Sequence, residues 1–598
     1  MGMITELPLS SPFFRAKVER FLESNGLRME ALDAFYAIET DDGELLAGAG
    51  IQKDIVKCVA VTASARSEGL LAPLLSYLVV QAAERGILNL KVFTKPAYQA
   101  IFESLGFHLL ARAQEAILLE NGKGLERYCQ YLQPFRRPGR SGVIVMNANP
   151  FTLGHKYLID KASEQVDTLF VIPVKEDVSL FSYSERQAMI QTALADSSGT
   201  APAKLKAPVL PSSDRMADSS GNTSTSCKAG AAVMVLEGSD YVISAATFPT
   251  YFFKDLSAVA QTQMQLDLDL YERWIAPALG VSVRFVGSEP FDALTNQYNQ
   301  QIPDAVVIPR IDGISASKVR RALEAGSFRE AAKLCPPTTW PYLLSALAQR
   351  ALQLELDTPL KPGLVGPDGP GAHQDMDYGV MHAGIAALRP YWSRMALAGS
   401  AEELRQLGIE AESAMLAATR GVNTHRGAIF CIGLALNAVC QSLSAGQQVA
   451  DLESLIQNRV HMAVHRIYSK SLTDSRLRAR PIDVKDALRM ADGGYRELFE
   501  DWLPFYRQSS RAEAPAQPSA LARQKTLLRI SSTLDDTCIL KRAGSERAQK
   551  VKEEAEELLR NFNEEKLKEL CRQYAREGIS PGGAADMLAL TIFIDSII

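Results

Sequence analysis

The chain has 598 residues, more than one hydrophobic core can organise, so several domains are expected. A formal net charge of −5, from 64 Lys and Arg against 69 Asp and Glu, leaves no global basic field; this argues against nucleic acid as a partner and for small anionic ligands. Eight cysteines stand singly, without the CxxC spacing of a zinc ribbon or the pattern of a secreted disulfide frame, and read as thiols of a reducing cytoplasm. Met1 to Arg15 lacks the apolar core of a secretion signal. The longest apolar run, Ala428 to Cys440, falls short of the roughly 18 residues of a membrane span, so a cytoplasmic protein with no membrane partner is expected.

From the N-terminus, Ala31 to Ile38, Leu45 to Ile51 and Ile55 to Val61 read as short strands, and a helical pattern follows from Ser67 to Arg85. Leu88 to Phe93 reads as a further strand and Tyr98 to Leu105 as a helix stopped at Gly106, where a left-handed cap suits glycine. Residues 1–135 are expected to form an α+β unit. The order of elements resembles the acetyltransferase fold, whose phosphate loop runs Gln or Arg, two residues, Gly, one residue, then Gly or Ala. Arg66-Ser67-Glu68-Gly69-Leu70-Leu71 meets the first two requirements and misses the last, so a docking or structural role is expected of this acetyltransferase-like unit in place of acetyl transfer. Basic, turn-prone Arg136-Arg137-Pro138-Gly139-Arg140 marks its end.

Residues 141–343 change to a β-α-β pattern. Val143 to Met146 is a continuous apolar run suited to a buried parallel strand, and Leu169 to Val174, Val233 to Leu236, Val281 to Val286 and Ala305 to Ile308 follow as strands of a Rossmann-like α/β layer. Ser197 to Gly230 interrupts them with Ser, Ala, Pro and Gly. It has too few large apolar residues to offset its ordering entropy and is expected to be a mobile insertion, 197–230. After Cys335-Pro336-Pro337-Thr338-Thr339-Trp340-Pro341 strand patterns vanish, and residues 344–598 are expected to be an all-α domain.

Two stretches of the middle region are built for a nucleoside triphosphate. Asn149-Pro150-Phe151-Thr152-Leu153-Gly154-His155 follows the first strand and opens a helix, where unpaired N–H groups and the positive end of the helix dipole favour phosphate. Gly154 lets the backbone approach the triphosphate without a Cβ, and His155 donates from an imidazole nitrogen to a phosphate oxygen. Downstream, in Ile314-Ser315-Ala316-Ser317-Lys318-Val319-Arg320, Ser315 and Ser317 cap a second helix. Lys318 is a point charge and Arg320 a fork for the β- and γ-phosphates. Asn149, Thr152, Gly154, His155, Ser315, Ser317, Lys318 and Arg320 are the expected ATP contacts, with His155, Lys318 and Arg320 catalytic.

These residues resemble the HxGH and ISxSxxR motifs of the nucleotidyltransferase superfamily, with Thr152 in place of the first His. The closer resemblance is to the citrate lyase ligase family, in which Asn-Pro-Phe-Thr-x-Gly-His is usual. Gly238-Ser239-Asp240-Tyr241-Val242-Ile243-Ser244, Ala246-Thr247-Phe248-Pro249-Thr250-Tyr251-Phe252 and the N-terminal unit support it over residues 1–343. The resemblance implies that acetate attacks the α-phosphorus of ATP to give acetyl-AMP and pyrophosphate. A thiol on a phosphopantetheine-like arm of the citrate lyase acyl carrier subunit then takes the acetyl group. Catalysis is expected to be electrostatic stabilisation of a pentavalent phosphorus by His155, Lys318, Arg320 and helix N-termini.

The helical region holds a second set: Lys361-Pro362-Gly363-Leu364-Val365, Gly371-Ala372-His373-Gln374-Asp375-Met376-Asp377, Gly421-Val422-Asn423-Thr424-His425-Arg426-Gly427, the pair Asp535-Asp536, and Asp586 after Ser580-Pro581-Gly582-Gly583-Ala584-Ala585. Acidic groups on facing helices hold Mg²⁺, a hard cation that bridges to phosphates, so Asp375, Asp377, Asp536 and Asp586 are the metal candidates. Lys361, His373, His425, Arg426 and Arg542 would add anion contacts. Taken singly, each residue has a plainer reading: Asp375 a helix N-cap, Gly582-Gly583 a tight turn, His425 a hydrogen-bonded core histidine.

Together these blocks resemble the triphosphoribosyl-dephospho-coenzyme A synthase family, where KPGLV, GAHxDM, GVNTHKG, DTxxxxRxG and SPGGxADLLA recur. The last two stand here as Asp536 to Gly544 and Ser580 to Ala589. The resemblance implies that the ribose 2′-hydroxyl of 3′-dephospho-coenzyme A attacks C1′ of ATP's ribose and expels adenine, the triphosphate staying on the transferred sugar. The resemblance implies that Lys361, Asn423, Arg426, Arg542, Gly582 and Gly583 contact ATP and that His373 and His425 are the catalytic candidates, one or the other transferring the proton. One departure stands out: the family's RGEA segment is replaced by Leu488-Arg489-Met490-Ala491-Asp492-Gly493-Gly494-Tyr495, where Asp492 is the expected substitute for the missing acid.

The two resemblances cohere, because the second activity makes the precursor of the arm whose thiol the first acetylates. They imply a bifunctional enzyme of citrate lyase maturation. The alternatives are a generic adenylyltransferase of coenzyme-precursor type fused to an inactive helical domain, and a non-enzymatic scaffold that docks on citrate lyase.

Overall fold

The computed structural model describes residues 3–66, 68–175, 179–197, 224–226, 231–243, 256–288, 293–446, 451–473, 484–511 and 520–598. The chain forms two compact units, neither continuous in sequence: the described residues of Met1–Asn147, Tyr157–Tyr183 and Ala217–Asp312, and those of Ala148–Lys156, Ser184–Met216 and Gly313–Ile598.

The first unit opens with β1 (Ile4–Leu7), α1 (Pro12–Ser24), β2 (Ala34–Glu39), β3 (Leu45–Gln52), β4 (Ile55–Val61), α2 (Leu71–Glu84), β5 (Lys91–Thr94), α3 (Gln99–Ser104), β6 (His108–Arg112), β7 (Ile117–Glu120) and α4 (Gly124–Leu132). The strands form one sheet in the order β1-β2-β3-β4-β5-β7-β6, antiparallel except for the central pair β4 and β5. Leu74, Leu75, Leu78 and Ala82 recur at helical spacing on α2 and bury in the same core as Tyr36, Val56 and Val92. Gly106 closes α3 with φ 85°, the left-handed cap expected of it. This is the α+β unit expected, with β1, α1, the β6–β7 hairpin and α4 added.

The chain continues through β8 (Ser141–Met146), α5 (Leu153–Ser163), β9 (Thr168–Pro173), α6 (Tyr183–Ser197), β10 (Ser224–Ser226), β11 (Ala232–Val235), α7 (Leu256–Leu270), α8 (Ala276–Leu279), β12 (Val283–Gly287), α9 (Ala293–Gln301) and β13 (Val306–Ile308). These strands form the Rossmann-like layer, order β10-β11-β9-β8-β12-β13, parallel but for β10 against β11. Residues 198–223 and 227–230 of the expected insertion, and the Ala246 to Phe252 motif, lie outside the described residues.

The basic segment before β8 is a boundary in composition and not in packing. Phe93, Leu118 and Leu125 share one core with Val143, Phe170 and Leu236, and Gly139 (φ 90°) turns the chain where a Cβ would meet Asp167 Oδ2 at 2.5 Å. Tyr241 fastens the two sheets. Its hydroxyl donates to the fully buried Glu120 (2.5 Å) and accepts from Asn89 Nδ2 (2.9 Å), with Lys91 Nζ 4.7 Å from its ring centroid. Gly124 makes room, since a Cβ there would lie 1.9 Å from the Tyr241 hydroxyl.

The second unit holds α10 (Ala316–Glu324), α11 (Phe328–Ala332), α12 (Trp340–Leu356), α13 (Tyr378–Leu397), α14 (Ala401–Ala418), α15 (Arg426–Ser444), α16 (Leu452–Thr473), α17 (Ala487–Asp492), α18 (Leu503–Arg511), α19 (Ala520–Thr533), α20 (Thr537–Arg560), α21 (Glu564–Glu577) and α22 (Gly582–Asp595). Its described residues beyond 344 contain no strand, as expected. Helices α12, α13, α15 and α22 pack on one another at its centre. At 19 residues α15 is long and apolar enough to cross a bilayer, contrary to the reading of its apolar run as too short; most of it is buried against neighbouring helices, which is the physical reason for its composition.

The division expected at 343/344 separates motifs, whereas the compact unit spans it. Leu153 N donates to Leu334 O (2.9 Å), Thr339 Oγ1 donates to Phe151 O (3.1 Å), and Phe328 N donates to Ser596 O (2.8 Å). The loop 148–156 and helices α10 and α11 are thereby built onto α12 and the end of α22.

Candidate active sites

In the first site, Thr152 stands before α5 and does two jobs. Its Oγ1 accepts from His155 N (3.3 Å), the bond of a capping residue to the third residue beyond it. Its own N–H donates to His155 Nδ1 (3.0 Å), with Oγ1 2.9 Å from the same nitrogen. A backbone N–H only donates, so Nδ1 is the bare nitrogen of the ring and Nε2 carries the proton. Phe151 stacks on the imidazole with centroids 5.7 Å apart.

The downstream motif caps α10 as expected at Ser315, whose Oγ accepts from Lys318 N (3.2 Å). Ser317 does not cap; its hydroxyl accepts from Arg320 NH2 (3.2 Å), because it lies one residue inside the helix and faces the guanidinium. Arg320 NH1 donates to Asn149 O (2.6 Å), a bond that closes 171 residues of sequence and joins the two halves of the motif. Lys318 Nζ donates to Gly313 O (2.9 Å). Gly154 stands beside Ile314, where a Cβ would make only ordinary contacts of 3.5 Å and more. Among the described residues no contact there requires glycine.

The second site is a cavity of about 820 Å³ within the helical part of the second unit. His373, Asn423, His425, Arg426, Asp536, Arg542, Gly582, Gly583 and Asp586 of the expected residues line it. Glu355, which motif reading missed, lines it too. The apolar stripe of α12 runs Leu344, Leu347, Ala348, Ala351, Leu352 and then places Glu355, 4% exposed, on the same face. A carboxylate at a core position of an apolar periodicity was the signal available.

Lys361 is buried behind Glu355, its Nζ 2.5 Å from Oε1 and 2.8 Å from the Glu355 carbonyl. Burial pushes the ammonium below its ordinary pKa while Glu355 opposes the shift. Lys361 is therefore a partner of Glu355 outside the lining. The turn after it needs Gly363 (φ 72°), where a Cβ would meet Ile579 O at 1.9 Å; this approach brings the KPGLV turn against the SPGG segment.

Asp536 joins the starts of two helices: Oδ1 accepts from Cys538 N (2.8 Å) and Ile539 N (3.4 Å), and Oδ2 from Ala584 N (3.0 Å). Burial raises its pKa and these N–H groups, with that of Gly583, pull it back. Asp586 is raised well above the carboxylate range by burial, then by the neighbouring Glu355 and Asp536. Gly427 and Gly583 are what let these carboxylates in, since Cβ atoms there would lie 1.9 Å from Asp586 Oδ2 and 3.1 Å from Asp536 Oδ2.

His425 Nδ1 lies 2.8 Å from Thr424 Oγ1, while Nε2 is buried with no hydrogen-bond partner among the described residues. Burial, and then the charge of Lys361, push its pKa to about 3, so the ring is neutral. The plain reading of a satisfied core histidine fails on that second nitrogen. His373 Nε2 is 2.8 Å from Ser580 Oγ and its Nδ1 is 3.8 Å from Asp375 Oδ1. Burial and Arg542 lower its pKa against the pull of Asp375. Asn423 Oδ1 accepts from Arg426 N (3.1 Å), starting α15, and Arg426 is ion-paired with Glu412.

The structure does not bring the four expected metal ligands together. Asp536 and Asp586 line the cavity, whereas Asp375 is 65% exposed in its side chain and Asp377 caps α13 through Val380 N (2.9 Å). It is Asp377, and not Asp375, that is the N-cap, because Asp377 directly precedes the first turn. Asp492 is likewise outside the lining, with its carbonyl and Oδ1 2.6 and 3.3 Å from His461 Nδ1. Among the described residues no three His, Cys, Asp or Glu side chains are placed to hold a metal by themselves. Mg²⁺ commonly takes one or two carboxylates and completes its shell with water and substrate phosphates. Asp536 and Asp586, neighbouring carboxylates on the cavity wall that Glu355 also lines, fit that use.

Residues 141–200 and 223–343 match the model of the citrate lyase ligase C-terminal domain, and residues 341–598 that of ATP:dephospho-CoA triphosphoribosyl transferase. The chain is 36% identical over 352 residues to the citrate (pro-3S)-lyase ligase of Escherichia coli strain K12, covering 56% of this chain and 91% of that protein. It is 38% identical over 271 residues to the probable 2-(5''-triphosphoribosyl)-3'-dephosphocoenzyme-A synthase of Stutzerimonas stutzeri strain A1501, covering 42% of this chain and 91% of that one. An acyl-CoA N-acyltransferase structure from Pseudomonas aeruginosa aligns at 17% identity with 20% of this chain and 99% of its own, at a TM-score of 0.18, too slight a likeness to argue from.

Proposed function

The chain belongs to the citrate lyase ligase family in its N-terminal part and to the triphosphoribosyl-dephospho-CoA synthase family in its C-terminal part, and from that premise we propose how its two sites divide the work. It is a bifunctional enzyme of citrate lyase maturation.

At the first site, acetate attacks the α-phosphorus of ATP. A carboxylate O–P bond forms, the bond to pyrophosphate breaks, and acetyl-AMP then gives its acetyl group to the thiol of the citrate lyase carrier subunit, releasing AMP. His155 donates from Nε2 to a phosphate oxygen, its tautomer set by Thr152. Lys318 and Arg320, held on the carbonyls of Gly313 and Asn149, exchange those neutral acceptors for phosphate oxygens.

At the second site, the 2′-oxygen of 3′-dephospho-coenzyme A bonds to C1′ of ATP's ribose as the bond to adenine breaks. The hydroxyl loses its proton and the departing adenine gains one. Arg542 and Lys541, which line the cavity, hold the triphosphate. The His373–Ser580 pair takes the proton of the attacking hydroxyl, the departing adenine takes its proton from water, and neutral His425 offers Nε2 to that base as a hydrogen-bond partner. When bound, Mg²⁺ neutralises triphosphate charge, and Asp536 and Asp586 would hold it. Gly583 serves the approach of Asp536, which already takes the N–H groups of the α22 start.

The observation that supports this reading is closure: motifs far apart in sequence come together at two places, one joined by Arg320 and Asn149, the other a cavity lined by Asp536, Lys541, Arg542 and Asp586. The test incubates the purified chain with Mg-ATP and 3′-dephospho-coenzyme A and follows free adenine, with AMP and pyrophosphate followed in a parallel reaction with acetate and carrier. Adenine in the first and pyrophosphate in the second are expected. No adenine from protein that still consumes ATP with acetate would leave a ligase fused to a helical domain of other function.

A further inference from the structure

The cavity of the second site changes character along α15. At the helix start, His425, Arg426 and Gly427 face it beside Asp586; one turn on, Ile429, Phe430, Gly433 and Leu434 do. Phe430 and Tyr468 form an edge-to-face pair with centroids 6.2 Å apart, both only partly buried. Arg466 on α16 is ion-paired to Glu402 on α14 (2.8 Å), so these two helices, which carry Tyr468 and the further lining residues Leu404 and Arg405, are tied together. Arg405 is an exposed cation at this end, on a different helix from Lys541 and Arg542. Cations thus reach the cavity wall from separate helices, as two anionic substrates would require.

We propose that the apolar end is the acceptor-base subsite, in which the purine of 3′-dephospho-coenzyme A stacks on Phe430 and Tyr468 with Arg405 on its diphosphate. The assignment rests on the transferase reading above. Its first ground is chemical. The donor's adenine departs and must gain a proton, which calls for polar groups such as the unpartnered Nε2 of His425. The acceptor's purine is unchanged by the reaction and needs only to be held, which stacking does without regard to proton transfer. The second ground is spacing. Phe430 lies three residues, about 4.5 Å of helix rise, beyond Gly427, the position that Asp586 approaches, and this is comparable with the reach from a purine to the 2′-hydroxyl of its own ribose. An acceptor base at Phe430 therefore presents its nucleophile to the acidic end.

The test uses the full chain with Phe430→Leu, which keeps an apolar side chain and removes the aromatic face, and Phe430→Trp, which restores one. Adenine release is measured against each substrate separately, and binding of 3′-dephospho-coenzyme A and of 4′-phosphopantetheine, which lacks the nucleoside, is measured by calorimetry without ATP. Phe430→Leu is expected to raise KM and Kd for 3′-dephospho-coenzyme A about tenfold, to leave KM for ATP within twofold, and to be rescued by Phe430→Trp. An unchanged acceptor Kd, or an equal rise in KM for ATP, would overturn the assignment. If the wild-type chain binds the acceptor but releases no adenine, the transferase reading fails, while the comparison of acceptor Kd between wild type and Phe430→Leu still decides the subsite. If Phe430→Leu does not fold, Tyr468→Leu replaces it with the same expected split.

Discussion

Thr152 donates its backbone N–H to His155 Nδ1 across 3.0 Å, and this bond decides which nitrogen of the ring holds the proton. The residue that departs from the common HxGH pattern is thereby the one that orients the second His. On the proposed reading, removing His155 deletes a donor to the charge that develops on phosphorus. His155→Ala is expected to lower acetate-dependent pyrophosphate release by about 10²–10³-fold and to leave adenine release unchanged. Thr152→Val keeps the N–H and loses both Oγ1 contacts; a fall of about tenfold is expected. Parallel assays of the two products check both.

Arg320 bridges Asn149 O and Ser317 Oγ with different nitrogens of one fork. A lysine brings one charge and no fork. Arg320→Lys is expected to lower kcat/KM for ATP in the acetate reaction by about tenfold, with Ser317→Ala closer to wild type. Steady-state kinetics with ATP varied would show it, and an unchanged Arg320→Lys enzyme would remove Arg320 from phosphate binding.

Gly427 is needed for the approach of Asp586, whose Oδ2 would lie 1.9 Å from an added Cβ. Gly427→Ala must displace that carboxylate or the start of α15. An overpacking cost of about 1–3 kcal/mol is expected, together with loss of adenine release and retention of the acetate reaction. Asp586→Asn, which leaves the helix start in place, should show the same loss of adenine without the fall in stability.

Glu355 and Lys361 are buried together, 2.5 Å apart. Removing one partner strands the other charge in the interior. Lys361→Met is expected to destabilise the helical unit by about 3–5 kcal/mol, read as a lower midpoint of its unfolding transition. Glu355→Gln combined with Lys361→Met should recover most of the loss. Equal midpoints for the single and double variants would show that the pair is not coupled.

His425 carries a pH signature of its own. Its pKa is about 3 in the folded chain, lowered by burial and by Lys361, against about 6.5 when unfolded. Between these values the unfolded state binds the extra proton, so its contribution to stability is full above about pH 6.5 and is lost as the pH falls toward 3. Wild type should lose more stability than His425→Gln between pH 7 and 4 in denaturant titrations. No His425 titration should be visible by NMR above pH 5.

Much of the architecture was legible because its signals are local. The apolar runs of β8, β9, β11, β12 and β13 lie within a residue or two of where they were read, and Gly106 is the left-handed cap it looked to be. The β6–β7 hairpin and α4 were not read. Their apolar residues, among them Leu118 and Leu125, face a core that the second sheet completes, and a core shared between distant segments leaves no mark in any one of them.

What the sequence by itself determined is the inventory: which side chains are available, in motifs whose glycines allow close approach. Only the tertiary structure decided which of those side chains meet. Asp375, Asp377, Asp536 and Asp586 are equivalent as residue types, yet two line the cavity, one backs His373 and one caps a helix. Glu355, in no motif, stands in the cavity because the apolar face of α12 carries it there. The physical reason is that a side chain's role follows from the direction in which its backbone is packed, and that direction is set by contacts far away in sequence, as between Arg320 and Asn149, 171 residues apart.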